Sequence, residues 1–405
     1  MTVLATQQPH RPAPAEGRGA GRRRAQRAGL GKYANNRSLA DVDARRERRD
    51  EAWVLRRRLW ELSTLPRVRA CGRVAHEGAG PTLRVSGEGA DRRAGFAGLV
   101  SCGSVWACST CARKIGARRA EEIRSVVEAA VAQGGGGGLI SLTLRHNRGH
   151  RLADSWDALR YAWSRVVSGK AYQRERERFG IEGWCCAVEV TRSQLHGWHP
   201  HAHVLVITDI PLSAEMLAEL GGRWFARWER ALARRGYTAL EHSGGLDARV
   251  ISIGSGDALA GYLTKVSLEA AGQVNKDGRR GSRSPFQILR DGLATGLADD
   301  LEAWFEYEQA SQGRKQLTWS RGLRARYRLA PEQSDEAIAA EDMGGDDLLA
   351  LPAETWRAVR DRAEVLLGLA EQAGLLGVMA WLAYRGLAWH AVEGPPGRAP
   401  TIPAD

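Results

Sequence analysis

Trp198-His199-Pro200-His201-Ala202-His203-Val204-Leu205-Val206 is the stretch on which the reading of this chain turns. Successive residues of a β-strand face opposite ways, so His201 and His203 share one face while Ala202 packs on the other. Two neutral imidazoles at that spacing can chelate one divalent cation. The apolar run before them, Trp184 to Thr191 (WCCAVEVT), contains a single acid, Glu189. A hairpin of the two strands, turning through Gly197, brings Glu189 beside the histidines as a hard oxygen ligand. Such a His-His-carboxylate set leaves coordination positions for a phosphate oxygen and water, which suits Mg²⁺ or Mn²⁺. A bare His-x-His is as readily a packed strand pair that binds nothing; Glu189 weighs against that reading.

Working outward, strands alternate with helices. Leu139 to Leu144 (LISLTL) is expected as a strand and Ala153 to Val167 as an amphipathic helix. Ser213 to Arg235 carries Leu217, Leu220, Trp224 and Trp228 at spacings of three and four, which marks one apolar helical face. Ala248 to Ile253 is a further strand and Asp257 to Ala271 a further helix. The order β-α-β-β-α-β-α predicts an α+β fold, an antiparallel sheet with helices packed against one face. Gly134 to Gly138 is expected as a flexible joint ahead of it.

The helix expected over Asp257 to Ala271 carries Tyr262 and Lys265, three apart and therefore on one helical face. A phenol is a poor nucleophile near its ordinary pKa of about 10. A nearby ammonium and a metal-polarised phosphate would favour the phenolate and the charge that develops on attack. Taken singly, Tyr262 could equally be a core aromatic with a wet hydroxyl. In one chain with Glu189, His201 and His203 it makes a more specific constellation.

Cys102, Cys108 and Cys111 lie close together with Cys71 upstream, and Cys108-Ser109-Thr110-Cys111 is a C-x-x-C knuckle. Four thiolates suit a structural Zn²⁺, with His76 as a weaker substitute ligand; the alternative is a set of free structural thiols. Cys185 and Cys186 sit in an apolar strand and read as core packing. Clustered cysteines suggest a reducing, cytoplasmic setting. The formal net charge of +12 favours an anionic partner, nucleic acid first. Arg22-Arg23-Arg24, Arg45-Arg46, Arg48-Arg49 and Arg56-Arg57-Arg58 load that charge onto the N-terminal stretch, while the tail beyond Pro331 is acidic on balance. No apolar run is long enough for a transmembrane helix, so no membrane partner is expected, and the N-terminal stretch lacks the apolar segment of a secretory signal. Trp198 is a candidate platform for base stacking beside the histidines, with His199, Arg279 and Arg280 as further candidate DNA contacts. Arg174, Arg176 and Arg178 read as a solvated face.

Glu189-Val190-Thr191, Gly197 to His203 and Tyr262-Leu263-Thr264-Lys265 together resemble the metal and tyrosine motifs of rolling-circle plasmid replication initiators, which belong to the HUH (histidine-hydrophobic-histidine) endonuclease superfamily. Cys102 to Cys108 and Trp319-Ser320 with Gly322-Leu323 are similar to that family as well. The resemblance spans roughly residues 65–330 and is strongest between 184 and 265. It implies a ferredoxin- or RRM-like nickase core that acts on plasmid origin DNA. Tyr262 would cut one strand, leaving a 5′-phosphotyrosyl link and a free 3′-OH for the polymerase, and strand transfer would end the round. Host helicase and polymerase are the implied partners. Related initiators often place a glutamate four residues before the tyrosine; this chain has Ala258 there, with Asp257 one residue further away. No second tyrosine follows Tyr262 closely, unlike the two-tyrosine subclasses.

The expected organisation is a basic disordered arm (1–60), a cysteine-rich zinc-binding module (61–130), the nickase domain (138–275), a basic and aromatic extension (276–330) and a helical region (350–392). The competing readings are a conjugative relaxase or single-strand transposase of the same chemistry, and a non-catalytic zinc-containing DNA-binding regulator. The last leaves Glu189, His201, His203 and Tyr262 without explanation.

Overall fold

Antiparallel pairing of the two strands that bear Glu189 and the histidines organises everything around them. A computed structural model describes residues 39–76, 80–251, 281–341 and 344–392. Its elements in chain order are α1 (Leu39–Leu62), α2 (Pro66–Ala70), β1 (Thr82–Ser86), β2 (Arg93–Ala97), α3 (Ser109–Ala132), β3 (Gly136–Thr143), α4 (Leu152–Val166), α5 (Gly169–Arg178), β4 (Ile181–Ser193) and β5 (Gly197–Thr208). These are followed by α6 (Ala214–Ala233), β6 (Leu246–Val250), β7 (Ser282–Arg283), α7 (Pro285–Thr295), α8 (Ala298–Ala310), β8 (Leu317–Trp319), α9 (Leu323–Arg326) and α10 (Asp335–Ala340). The last elements are β9 (Asp346–Ala350), α11 (Ala353–Val359), α12 (Ala363–Gln372), α13 (Gly374–Tyr384) and β10 (His390–Ala391).

The larger sheet runs β6-β3-β5-β4-β7, with β8 also paired to β4. Its central strands are antiparallel throughout, and β3-α4-β4 interleaves with β5-α6-β6. On one face Ala202, Val204 and Val206 of β5 pack with Trp156, Leu159 and Trp163 of α4 and with Leu217, Leu220 and Trp224 of α6. Each such buried large side chain contributes roughly 1.5–3 kcal/mol. On the other face Leu205 and Ile207 meet Ile123, Val126, Val127 and Ala130 of α3. Helices were expected on one face only; α3 covers part of the second because its apolar residues recur at helical spacing. His199, His201 and His203 continue that second face along β5.

Gly136, Gly137 and Gly138 lie within β3 rather than in a flexible joint. A Cβ at Gly138 would stand 2.6 Å from the Leu217 methyls, and one at Gly137 would stand 2.7 Å from the Val206 carbonyl oxygen. Side chains are missing there because strand and helix approach too closely to admit them.

A second sheet runs β10-β9-β1-β2. Leu83 of β1 and Leu349 of β9 share a cluster with Trp356, Leu366, Leu367 and Val378 from the helices that follow β9. The segment 350–392 is therefore not a separate helical region, since β9 and β10 complete a sheet begun more than two hundred residues earlier. Helix α1 likewise replaces the distal part of the arm expected to be disordered over 1–60. Its buried positions include Ala52, Leu55 and Leu59 but also Arg49 and Arg56, which interrupt the apolar pattern. Acids from the C-terminal tail meet its arginines. Arg46 Nε lies 3.0 Å from Glu371, Arg49 pairs with the same carboxylate, and Arg57 lies 3.4 Å from Glu364.

Candidate metal centres

Register places the first site. Glu189 of β4 stands opposite His201 of β5, and Ala187 stands opposite His203. On the far side of β5, Ser141 of β3 stands opposite His203 and Thr143 opposite His201. Glu189 Oε2 lies 3.1 Å from His201 Nε2 and 3.0 Å from His203 Nε2. The three side chains are only 11–14% exposed, so the site is mostly buried but not sealed from solvent.

The outer ring nitrogens decide what the inner ones can do. His201 Nδ1 lies 3.2 Å from the His199 carbonyl oxygen, which can only accept; a neutral ring with its hydrogen on Nδ1 would leave Nε2 able to ligate a metal. His203 Nδ1 bonds the Ser141 hydroxyl at 2.8 Å. Each Nε2 can therefore serve in either of two ways, donating a hydrogen to the Glu189 carboxylate or, in the other tautomer, turning a lone pair toward a cation held beside that carboxylate. Ligands on adjacent corners of an octahedron with bonds of about 2.1 Å stand roughly 3.0 Å apart, which is the spacing found between Glu189 and each histidine. The donor set is thus compatible with a divalent ion as well as with direct hydrogen bonds. Burial raises the Glu189 carboxyl, but its bonds to His201 and His203 outweigh that and hold it well below the ordinary carboxylate range. Burial, then the charge of His201, pushes His199 down to about 3. The His146 ring stacks on His199 at 4.5 Å, and burial lowers His146 as well.

The second site is closed. Cys71 caps α2, Cys102 follows β2, Cys108 caps α3 and Cys111 lies in its first turn. All four are buried, and their sulfurs lie within 4.8 Å of one another. The Cys71 sulfur is 3.6 Å from those of Cys108 and Cys111, and Cys102 is 3.7 Å from Cys111. Tetrahedral zinc with bonds of about 2.3 Å sets its sulfurs about 3.8 Å apart, so this cluster is compatible with structural zinc. The Ser104 N–H donates to the Cys102 sulfur at 3.4 Å. His76 is exposed and does not belong to the group.

Other expectations fare differently. Trp198 is 2% exposed; its indole N–H donates to Glu306 at 2.7 Å and its ring stacks on Tyr307 at 5.9 Å. With its ring enclosed in the core it has no face for a base, and it is withdrawn as a stacking platform. Cys185 and Cys186 are buried in the sheet; burial raises both thiols, Cys185 to about 12. Tyr262, Lys265, Arg279, Arg280 and Asp257 lie outside the described residues, as does the helix expected over Asp257 to Ala271. Ser141 and His146 were not singled out from the sequence. Ser141 was findable, being the lone hydroxyl between Ile140 and Leu142 on a strand neighbouring the histidines.

Comparison with known proteins adds a separate line of support. A family described as Replication protein matches residues 100–342. A protein named Protein rep from Streptomyces lividans is 30% identical over 335 residues, covering 66% of this chain and 74% of that protein. A Streptomyces cyanogenus protein named Neomycin resistance protein is 34% identical over 134 residues, 27% of this chain and 31% of that protein. No solved structure matches. Among the described residues no helix is long and apolar enough to cross a membrane.

Proposed function

The chain belongs to the Replication protein family, and on that premise we propose that it initiates rolling-circle replication of a plasmid by nicking one strand of its origin. The observation that carries this reading is the convergence of the Glu189 carboxylate and two imidazole nitrogens on one point that is not sealed from solvent. The interleaved antiparallel core supports its assignment to the HUH class.

Glu189, His201 and His203 would hold Mg²⁺ or Mn²⁺, which when bound polarises the scissile phosphate as a Lewis acid. The Tyr262 hydroxyl gives its proton to solvent water, its oxygen attacks the phosphorus, and the departing 3′ oxygen takes a proton back from water. The bond from phosphorus to the 3′ oxygen breaks, giving a 5′-phosphotyrosyl link and a free 3′-OH. Lys265, three residues on, stabilises the phenolate and the charge on the phosphoryl oxygens. The reverse attack by a 3′-OH releases the tyrosine and rejoins the strand, so no external energy source is needed. Ser141 and the His199 carbonyl fix the two imidazole rings. Zn²⁺ in the cysteine cluster is structural. His199, Arg279 and Arg280 are proposed DNA contacts, and host helicase and polymerase act on the nicked product.

The test is incubation with labelled origin single strand and Mg²⁺ or Mn²⁺. Wild-type protein is expected to form a covalent adduct whose linked peptide contains Tyr262, and Tyr262→Phe is expected to lose both cleavage and adduct. Continued cutting by the phenylalanine variant without an adduct would mean metal-activated water instead. An adduct mapped to Tyr237 would move the nucleophile and keep the reaction.

A further inference from the structure

One buried cation in the cysteine module has no carboxylate partner among the described residues. Arg56 of α1 is 6% exposed, and its Nε and Nη2 are buried without a hydrogen-bond partner among the described residues. Its guanidinium is clamped between two surfaces. The Trp53 ring centroid lies 3.4 Å from Cζ on one side. On the other side is Gly72, where a Cβ would stand 2.2 Å from the same carbon. Gly72 directly follows Cys71 and has a φ of +64°, so glycine is required there both for backbone conformation and for space. The remaining nitrogen, Nη1, donates to Thr110 Oγ1 at 3.1 Å, and that oxygen lies 3.3 Å from the Cys108 sulfur. Arg56 can only donate, so Thr110 accepts from it and has its own hydrogen available for the sulfur.

Removing a guanidinium from water without an opposing charge is strongly unfavourable. Four thiolates around a divalent ion carry a net charge of about −2, and this tetrathiolate is the anion that Arg56 faces across Thr110. We propose that Arg56 is the built-in counter-ion of the metal-loaded cysteine cluster, acting through the Thr110 hydroxyl on Cys108, and that metal loading in turn holds helix α1 in place. The inference rests on the zinc reading of the cluster. It assigns α1 a task beyond packing, because the helix that extends the basic N-terminal stretch is docked by the charge of the metal centre. Ser109 reinforces the docking by donating to the Ala52 carbonyl oxygen at 2.6 Å, and Trp60 by donating to the Cys71 carbonyl oxygen at 2.8 Å.

The experiment uses the full chain, purified reduced, with zinc measured by elemental analysis and its release followed with a chromogenic chelator. Arg56→Met keeps much of the side-chain volume and removes the charge; it is expected to release zinc about 10–100 times faster than wild type, the usual range for loss of a group supporting metal ligands. Arg56→Lys should fall between the two. Thr110→Val, nearly isosteric, should accelerate release by a smaller factor and decides the question even if Arg56→Met folds poorly. Stripping zinc from the wild type should hasten amide exchange in residues 39–62 before exchange in β3 to β5. A merely structural arginine would lower the melting temperature of Arg56→Met yet leave zinc release at the wild-type rate, and that result overturns the proposal. Wild-type protein without zinc would instead remove the zinc reading, and the inference with it.

Discussion

The two metal-capable sites of this molecule are built to opposite specifications. The cysteine cluster uses soft sulfur donors from four points of one module, all buried. Its ligands are spaced for a closed tetrahedron, with nothing left over for a substrate. The Glu189, His201 and His203 site uses hard and borderline donors from adjacent strands, leaves them slightly exposed, and would fill only one side of an ion's coordination shell. On the proposed reading, the contrast is between a closed cluster whose metal would hold the fold and a more accessible one whose metal would meet a phosphate.

The strongest way to break that contrast is Cys108→Ser. Structural zinc contributes on the order of 10 kcal/mol of folding free energy in small zinc modules, so this variant should lose its zinc and several kcal/mol of stability, measured by elemental analysis and a thermal melt. Unchanged zinc and melting temperature would remove the structural role. The complementary change, His203→Ala, should reduce nicking at least about a hundredfold while shifting stability by no more than about 1–2 kcal/mol, since no zinc-linked folding energy is lost with it. A melt as damaged as that of Cys108→Ser would make the histidines architectural.

Chelation separates the sites without mutation. Brief EDTA treatment should abolish nicking, which Mn²⁺ or Mg²⁺ then restores, while zinc in the cysteine cluster stays bound; loss of zinc on the same timescale would contradict its closure. Two gentler changes sharpen the open site. Glu189→Gln retains an oxygen ligand, so nicking should fall less than in His203→Ala and recover in part at high metal concentration. Ser141→Ala should weaken metal binding by about tenfold at most, read as a higher metal concentration for half-maximal nicking.

The open site was the more legible of the two in the sequence. Strand alternation alone puts His201 and His203 on one face, and the isolated Glu189 in an apolar run points to its partner strand. The cysteine cluster was legible through its C-x-x-C knuckle. What sequence patterns missed depended on distant partners. Helix α1 reads as a charged arm because Glu364 and Glu371, which pair with its arginines, lie some three hundred residues away. Gly136 to Gly138 read as a joint because local composition says nothing of Leu217 pressing on the strand. Trp198 read as a candidate stacking platform because it adjoins the histidine strand, but alternation sends the indole into the opposite face, against Tyr307.

The pairing of β1 with β9 imposes an order of assembly. Arg84 and Asp347, joined across those strands, are 263 residues apart, whereas the hairpin of β4 and β5 closes over a few residues. A nascent chain lengthens by about 5–20 residues per second, so β1 and β2 wait roughly 10–50 s for the strand that completes their sheet. During that interval β1 presents an open edge, the kind of surface on which strands of neighbouring chains can add. The larger sheet has its central strands by residue 250 and can fold first. The cysteine module emerges early in synthesis and is finished last.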